Sequence, residues 1–269
     1  MPWSSTVDIG EFVVAAGAFL SSRPVEHAPL LTEADYLRRR PQPGADQSYG
    51  WWTDDTGRVA GAFLRAPRHL PILTPLPEAA VGELVEVLPF GAGVGCDVTM
   101  VDAVLAASER VGIPLVPRHR LVIHRLDVPP PTVPVPGAAR VAGPQDHALL
   151  DDWFDRLMAA NPGDPSDRAY VVDDPLADGR ITLWEVDGEP VAVAGRTRVL
   201  SGMTRVGAVF APSGDPRLET AVLAAATAGA AAVAGDVLVL AARDDRESVD
   251  RLAALGYRAV RERVVLSAG

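Results

Sequence analysis

Lysine is missing altogether: all 25 basic residues of this 269-residue chain are arginine. Without a lysine amine there is no Schiff base, which excludes the usual pyridoxal-phosphate chemistry. A phosphate loop ending in Gly-Lys-Ser/Thr is excluded with it. Cysteine is almost absent. The single Cys96 forbids an intramolecular disulfide and a cysteine-rich metal site. A basic excess is absent too: the formal charge of -10 argues against nucleic acid as the main partner, since a phosphate backbone wants a basic face. No long apolar run is present either. The longest, "AVLAAATAGAAAVAG" (221–235), is too short and alanine-rich to span a bilayer, so no membrane partner is expected. The opening "MPWSSTVDIGEF" lacks the basic n-region and apolar stretch of a signal peptide, and a cytoplasmic location is the expectation.

What is present is enough apolar material for a sizeable core, 48% of residues. "DVPPPTVPVPG" (127–137) is the clearest boundary, because its prolines cannot sit inside a helix or a central strand. The expected organisation is a first domain over 1–126, a proline-rich linker over 127–137 and a second domain over 138–269.

The two halves share an order of elements. In the second, "ARVA" is a short strand, and Leu149, Leu150, Trp153, Phe154 and Leu157 fall at helical spacing. A weaker helix is expected over 166–178. "ITLWEVDGEPVAVAGRTRVL" is a hairpin turning at Asp187-Gly188, and "TRVGAVFA" is a third strand. A helix over 216–233, the strand "DVLVLAA", a short helix over 247–254 and a last strand in "GYRAVRERVVL" complete it. In the first half Asp8 and Glu11 form a capping-box pattern ahead of a stripe of Ile9, Phe12, Val13, Ala16 and Phe19. A helix over 27–39, the hairpin "YGWWTDDTGRVAGAFLRAP", a strand in "HLPILTPL", a helix over 78–88, the piece "GVGC", a helix over 98–111 and the strand "HRLVIHRL" follow. The pattern is a tandem duplication of one α/β unit.

In this order and spacing, "LWEVDGEPVAVAGRTRV", "RVGAVFAP" and "SVDRLAALGYRAVRERVVL" resemble the GNAT superfamily of N-acetyltransferases in a two-domain form. The resemblance implies an α/β fold whose mixed sheet splays between its fourth and fifth strands, here 204–211 and 236–242. It implies acetyl-CoA or another acyl-CoA as donor and a small-molecule amine as acceptor, with homodimerisation left open. The pantetheine arm would run along Val209, Phe210 and Ala211. The family's diphosphate loop, Gln/Arg-x-x-Gly-x-Gly/Ala, falls on Pro216 to Ala221, where Ala221 alone fits. Pro216 has no N–H to offer a phosphate and Glu219 brings a like charge, which Arg217 offsets in part. The same residues also read as a self-capped helix: Asp215 at the N-cap, Pro216 at the first position, Glu219 facing the dipole. The family asparagine corresponds to Asp245, with Ser248 beside it, and the family's tyrosine acid to Leu252, which cannot donate a proton.

Base candidates for acyl transfer are Glu185, on the strand "TLWEV", and His124. Trp184 and Arg196 are candidates for the substrate side. His119 and His124 fall on opposite strand faces, and the pairs Asp151-Asp152 and Asp173-Asp174 have no partner at ligand spacing, so no metal is expected. Two readings stay open: an N-acyltransferase, and a GNAT-fold protein that has left acyl-CoA, either as another enzyme of specialised metabolism or as a ligand-binding or dimerisation module.

Overall fold

The structure is a computed structural model that describes residues 2–41, 46–88 and 90–269. It forms two compact units, and they are not consecutive halves. The first comprises Met1–Ile123, Ala242–Asp244 and Ala259–Gly269; the second comprises His124–Ala241 and Asp245–Arg258. Residues 259–269, expected in the second domain, count with the first. The residues expected as a linker, 127–137, carry no helix or strand and count with the second unit.

The first unit runs β1 (Trp3–Thr6), α1 (Ile9–Ser22), α2 (Ala28–Arg39), β2 (Ser48–Thr53), β3 (Val59–Arg65), β4 (Ile72–Leu73), α3 (Glu78–Val87), β5 (Gly93–Asp97), α4 (Val101–Arg110) and most of β6 (Leu115–Leu126). β1 had no counterpart in the sequence reading. It pairs with β2, and its Trp3 donates from Nε1 to the Ala80 carbonyl at 2.9 Å. β4 is only two residues long because Pro71 and Pro75 bracket it and neither can donate to a ladder. The expected capping box at α1 is half formed. Asp8 accepts from the Gly10 and Glu11 amides, but Glu11 takes its hydrogen bond from the Thr6 hydroxyl.

The order of strands in this unit is β1-β2-β3-β4-β5-β12-β6, where β12 (Tyr257–Ala268) is the last strand of the chain. Antiparallel pairing of Arg263–Ser267 with β5 puts Val264 and Leu266, both fully buried, into the core with Phe63, Leu73, Leu84 and Val94. The alternation in "RERVVL" that predicts a strand thus serves the first unit's core.

The second unit runs β7 (Ala138–Val141), α5 (His147–Ala160), a π-helical turn (Ala169–Asp173), α6 (Asp174–Ala177), β8 (Ile181–Val186), β9 (Glu189–Arg196), β10 (Met203–Phe210), α7 (Pro216–Ala231), β11 (Asp236–Ala242) and α8 (Arg246–Ala254). Its strands lie in the order β7-β8-β9-β10-β11. The helix expected over 166–178 is broken into the π turn and one short α turn. Pro175 cannot supply an N–H in mid-helix, and the wider turn absorbs the mismatch. α7 packs its alanine face (Val222, Leu223, Ala226, Ala230) on β9, β10 and β11, where small side chains allow close approach. Among the described residues no helix is long and apolar enough to cross a membrane.

Candidate functional site

One seam of the second unit's sheet opens. β10 and β11 run parallel and pair only where Met203–Arg205 meets Asp236–Leu238. Past Arg205 the chain stays with β9, through a register shift between Gly207 and Phe210. Ala208 in that shift takes a φ of 50°, a left-handed conformation costing a residue with a Cβ about 1–3 kcal/mol. The bulge bends β10 and parts it from the second half of β11. Val209 and Ala211 turn toward the α7 core there, while Phe210 turns to the other side of the sheet.

The loop after β10 leads into α7, whose first turn is satisfied from within. Asp215 accepts from the Arg217 amide at 2.9 Å, and the Arg217 guanidinium folds back on the same carboxylate at 2.8 and 3.1 Å. That contact holds the Asp215 carboxyl below its usual range. The Leu218 and Glu219 amides donate to the Asp215 carbonyl at 3.1 and 3.3 Å, and Pro216 has no amide hydrogen. Glu219 turns to α8, where it accepts from Arg251 at 2.7 Å; Arg251 also reaches Glu247 at 3.1 Å. The Arg251 side chain is 13% exposed, so this pair is largely shielded from water. At this helix start the Arg217, Leu218 and Glu219 amides and the Arg217 and Arg251 guanidinium groups already have partners within the protein.

The other residues singled out from the sequence are scattered. Asp245 caps α8, accepting from the Ser248 amide at 3.0 Å, and those Ser248 contacts lower its pKa. Leu252 is buried in the α7 core, and Ala221 is buried on α7. Tyr257 meets Thr227 Oγ1 at 2.8 Å, and burial pushes its phenol up to about 12, so it is a core residue and no proton donor to a cleft. Glu185 is bonded to Arg140 at 2.5 Å, and Arg140 also grips Asp146 through two bonds of 2.7 and 2.8 Å. His124 is buried in β6. Trp184 donates to the Pro136 carbonyl at 3.0 Å, and Arg196 ends β9 with its pKa lowered by burial. Glu185, Trp184 and Arg196 all lie on β8 or β9, on the far side of β10 from β11.

The sequence reading missed a small apolar cleft between α5, the π turn and β8–β10. Leu150, Trp153, Phe154, Val172, Ala208 and Phe210 contribute to its wall, and no titratable side chain does. Trp153 and Phe210 meet edge to face at 6.4 Å between ring centres. Leu150, Trp153 and Phe154 were visible as an apolar helical stripe. That one side of the stripe faces a cavity was not.

Spatial neighbours also change the reading of the carboxylate pairs. His147 and Asp151 are one turn apart on α5, and the π turn brings in Asp173. The imidazole lies between the carboxylates, Nδ1 3.5 Å from Asp151 and Nε2 3.2 Å from Asp173. Opposite ring nitrogens face opposite acids and Arg168 already sits 3.3 Å from Asp151. One ligand atom from each of His147, Asp151 and Asp173 lies within 4.8 Å of the others, so this partly exposed group, unlike the isolated pairs read from the sequence, has the spacing of a candidate metal site.

In the first unit the corresponding seam is closed. β4 and β5 pair at Ile72 and Gly95, and Arg263 lays its guanidinium into the gap. Its Nη2 donates to the Leu73 carbonyl at 3.0 Å and the Gly95 carbonyl at 3.2 Å. Nearby, Arg261 bridges Glu26 and the buried Asp97. His27, fully buried, has its pKa lowered by burial and sits 3.1 Å from the Leu20 carbonyl.

No family model and no curated protein matches the chain. Solved structures do match it. A GNAT-family acetyltransferase from Colwellia psychrerythraea superposes with a TM-score of 0.65 at 10% identity, over 100% of both chains. A GCN5-related N-acetyltransferase from Sphaerobacter thermophilus gives 0.64 at 14% identity, over 98% of this chain and 95% of the other. The fold is the GNAT fold. A GCN5-related N-acetyltransferase from Kribbella flavida, at 18% identity and a TM-score of 0.57 over 78% of this chain, matches in the same way. In GNAT terms the seam between β10 and β11 is the splay between the fourth and fifth strands. At these identities the likeness concerns shape, and the chemistry has to be argued from the residues.

Proposed function

We propose that the second unit is the working half of an acyl-CoA-dependent N-acyltransferase for a small-molecule amine, and that the first unit is a structural partner without a donor site. The observation that carries this reading is the parting of β10 from β11 at the Ala208 bulge, next to an apolar pocket. An extended thioester arm matches the hydrogen-bonding needs of strands that have parted, whereas Arg263 already meets those needs in the first unit. β10, from Val206 to Phe210, would hold the arm, and the amine would approach from the pocket side. Glu185 is engaged with Arg140 and the pocket wall holds no base, so the amine's proton leaves through water rather than directly to a lining side chain.

The test is thiol release from acetyl-CoA in the presence of a panel of primary amines, followed with a thiol reagent. The protein itself is silent in this assay. Its one thiol, Cys96, is fully buried and pushed up by that burial to about 11. Amine-dependent thiol release supports the proposal; its absence with every acyl-CoA and amine overturns it.

The self-capped start of α7 favours a second reading, a GNAT-fold protein that binds its ligand without acyl-CoA. Calorimetric titration separates the two. Heat on adding free CoA supports the transferase; no heat, with a retained amine site, supports the binding protein.

A further inference from the structure

We infer that His147, Asp151 and Asp173 form a binding site for one divalent transition-metal ion, of the zinc, cobalt or nickel class, that ties α5 to the π turn. The site is independent of the acyltransferase reading, and its test needs no acyl-CoA. The first observation is geometry. One ligand atom from each of the three residues lies within 4.8 Å of the others, and no other group of three His, Cys, Asp or Glu among the described residues does so. His147 and Asp151 are one turn apart on α5, which sets them on one face, and the π turn carries Asp173 to the same imidazole. Bonds of about 2.0–2.2 Å around a zinc ion put its ligand atoms roughly 3–4 Å apart. The His147 and Asp173 side chains are 48% and 36% exposed, so small rotations suffice to bring all three residues to that spacing around one imidazole nitrogen.

The second observation is an unmet oxygen. Asp151 Oδ1 is buried and has no hydrogen-bond partner among the described residues, although Oδ2 of the same carboxylate meets His147 at 3.5 Å and Arg168 at 3.3 Å. A carboxylate oxygen shut away from water costs free energy until a proton donor or a cation meets it. The donor set says which cation. An imidazole nitrogen with two carboxylate oxygens suits zinc, cobalt or nickel, whereas magnesium and calcium prefer shells made of oxygen alone. Three protein ligands leave at least one position to water. Two positive charges oppose the ion: the start of α5, at His147, and the Arg168 guanidinium. The two carboxylates outweigh the partial charge of a helix start. Arg168 is displaceable, because its side chain is 43% exposed and it holds Asp155 at 3.0 Å, nearer than Asp151. It can keep Asp155 and yield Asp151 to the metal.

The test uses the full chain, stripped with a chelator and titrated at one fixed pH, with Zn²⁺ by calorimetry and with Co²⁺ by visible absorbance. A single ion should bind per chain, and the melting temperature should rise with Zn²⁺ concentration. His147→Ala and Asp173→Asn should each weaken Zn²⁺ roughly tenfold or more. Arg168→Gln, which removes the competing cation, should tighten it about threefold or more. Asp152→Asn, beside Asp151 in sequence but 66% exposed and turned to Arg156, should leave the titration unchanged. About a hundredfold excess of Mg²⁺ should not displace the metal. Absence of saturable binding, or binding that survives both His147→Ala and Asp173→Asn, overturns the inference, and displacement by Mg²⁺ overturns the transition-metal assignment. Should a variant fail to fold, the Co²⁺ spectrum of the unaltered chain decides. Intensified d–d bands without thiolate charge transfer support a nitrogen–oxygen site, and the spectrum of aqueous Co²⁺ overturns it.

Discussion

The same seam is built twice in this chain and finished in opposite ways. In the first unit the gap between β4 and β5 is filled by the Arg263 guanidinium, which bonds a carbonyl on each strand. In the second unit β10 and β11 part after three paired residues, and a strained alanine holds the bulge that parts them. A duplicated fold has two places where backbone groups are left for a ligand. When one copy no longer meets a ligand, those groups still need partners, and a buried arginine with five donors is an efficient substitute. On the proposed function, the copy that keeps its strain is the one where a ligand supplies the missing bonds.

The largest test of this contrast is Arg263→Met in the full chain. It removes a buried cation and leaves the Leu73 and Gly95 carbonyls short of a donor, so the first unit should lose about 2–5 kcal/mol. Urea unfolding followed by circular dichroism should show the lowered midpoint. An unchanged midpoint would mean that the seam is not held by the guanidinium.

A smaller effect is expected at the start of α7. Glu219→Gly removes the anion nearest to where a GNAT diphosphate would rest and releases Arg251 from its 2.7 Å contact. Like charges at close range cost up to about 4 kcal/mol at intermediate dielectric, so acetyl-CoA affinity should rise by about ten- to a hundredfold. Glu219→Gln, which removes the charge but keeps the side chain, should recover part of that gain. If neither variant changes the titration, closure of this site does not reside in Glu219.

The third test concerns pH. Arg140 holds the Asp146 carboxyl below its ordinary value of 3.8, chiefly through their paired hydrogen bonds. A carboxyl depressed in the folded state binds fewer protons there than when unfolded. Its stabilisation is complete above the ordinary value and is lost as pH falls through the folded one. The second unit should therefore weaken on acidification below pH 3.8, and Asp146→Asn should lower stability at neutral pH while flattening that acid slope. An unaltered slope would show that the Arg140 cluster does not anchor β7 and β8.

How far the sequence carried this picture depends on the range of each interaction. The hairpins at Asp54–Gly57 and Asp187-Gly188, the α7 stripe and the capping role of Asp215 are local, and each was legible from spacing. So was the resemblance that gave the splayed sheet. The partner of Glu219 was not, because Arg251 lies 32 residues on and meets it only after α8 packs beside α7. Nor was the destination of β12, since alternation in "RERVVL" marks a strand without saying which unit's core receives it. The meeting of Asp173 with His147 and Asp151 needed the π turn, and that turn exists because Pro175 interrupts a helix the pattern alone would have continued. Residues nominated one by one for chemistry, such as Glu185, turned out to be committed to neighbours that sequence cannot display.

The smallest effect compares two buried phenols, one in each unit. Burial pushes both Tyr49 and Tyr257 up to about 12 from an ordinary 10.0. For a phenol raised in the folded state, the stabilisation is complete below pH 10 and is lost as pH rises toward 12. An absorbance titration of phenolate should then show late-ionising phenol, with Tyr49→Phe and Tyr257→Phe each removing part of it. Tyr257 carries the sharper information. It is fixed to Thr227 beneath α7, on the far side of that helix's self-capped start, so its lag reports how firmly α7 is packed. A Tyr257 that ionises near 10 while Tyr49 still lags would place the looser packing in the second unit, where an open seam and a strained strand leave the least to hold the helix down.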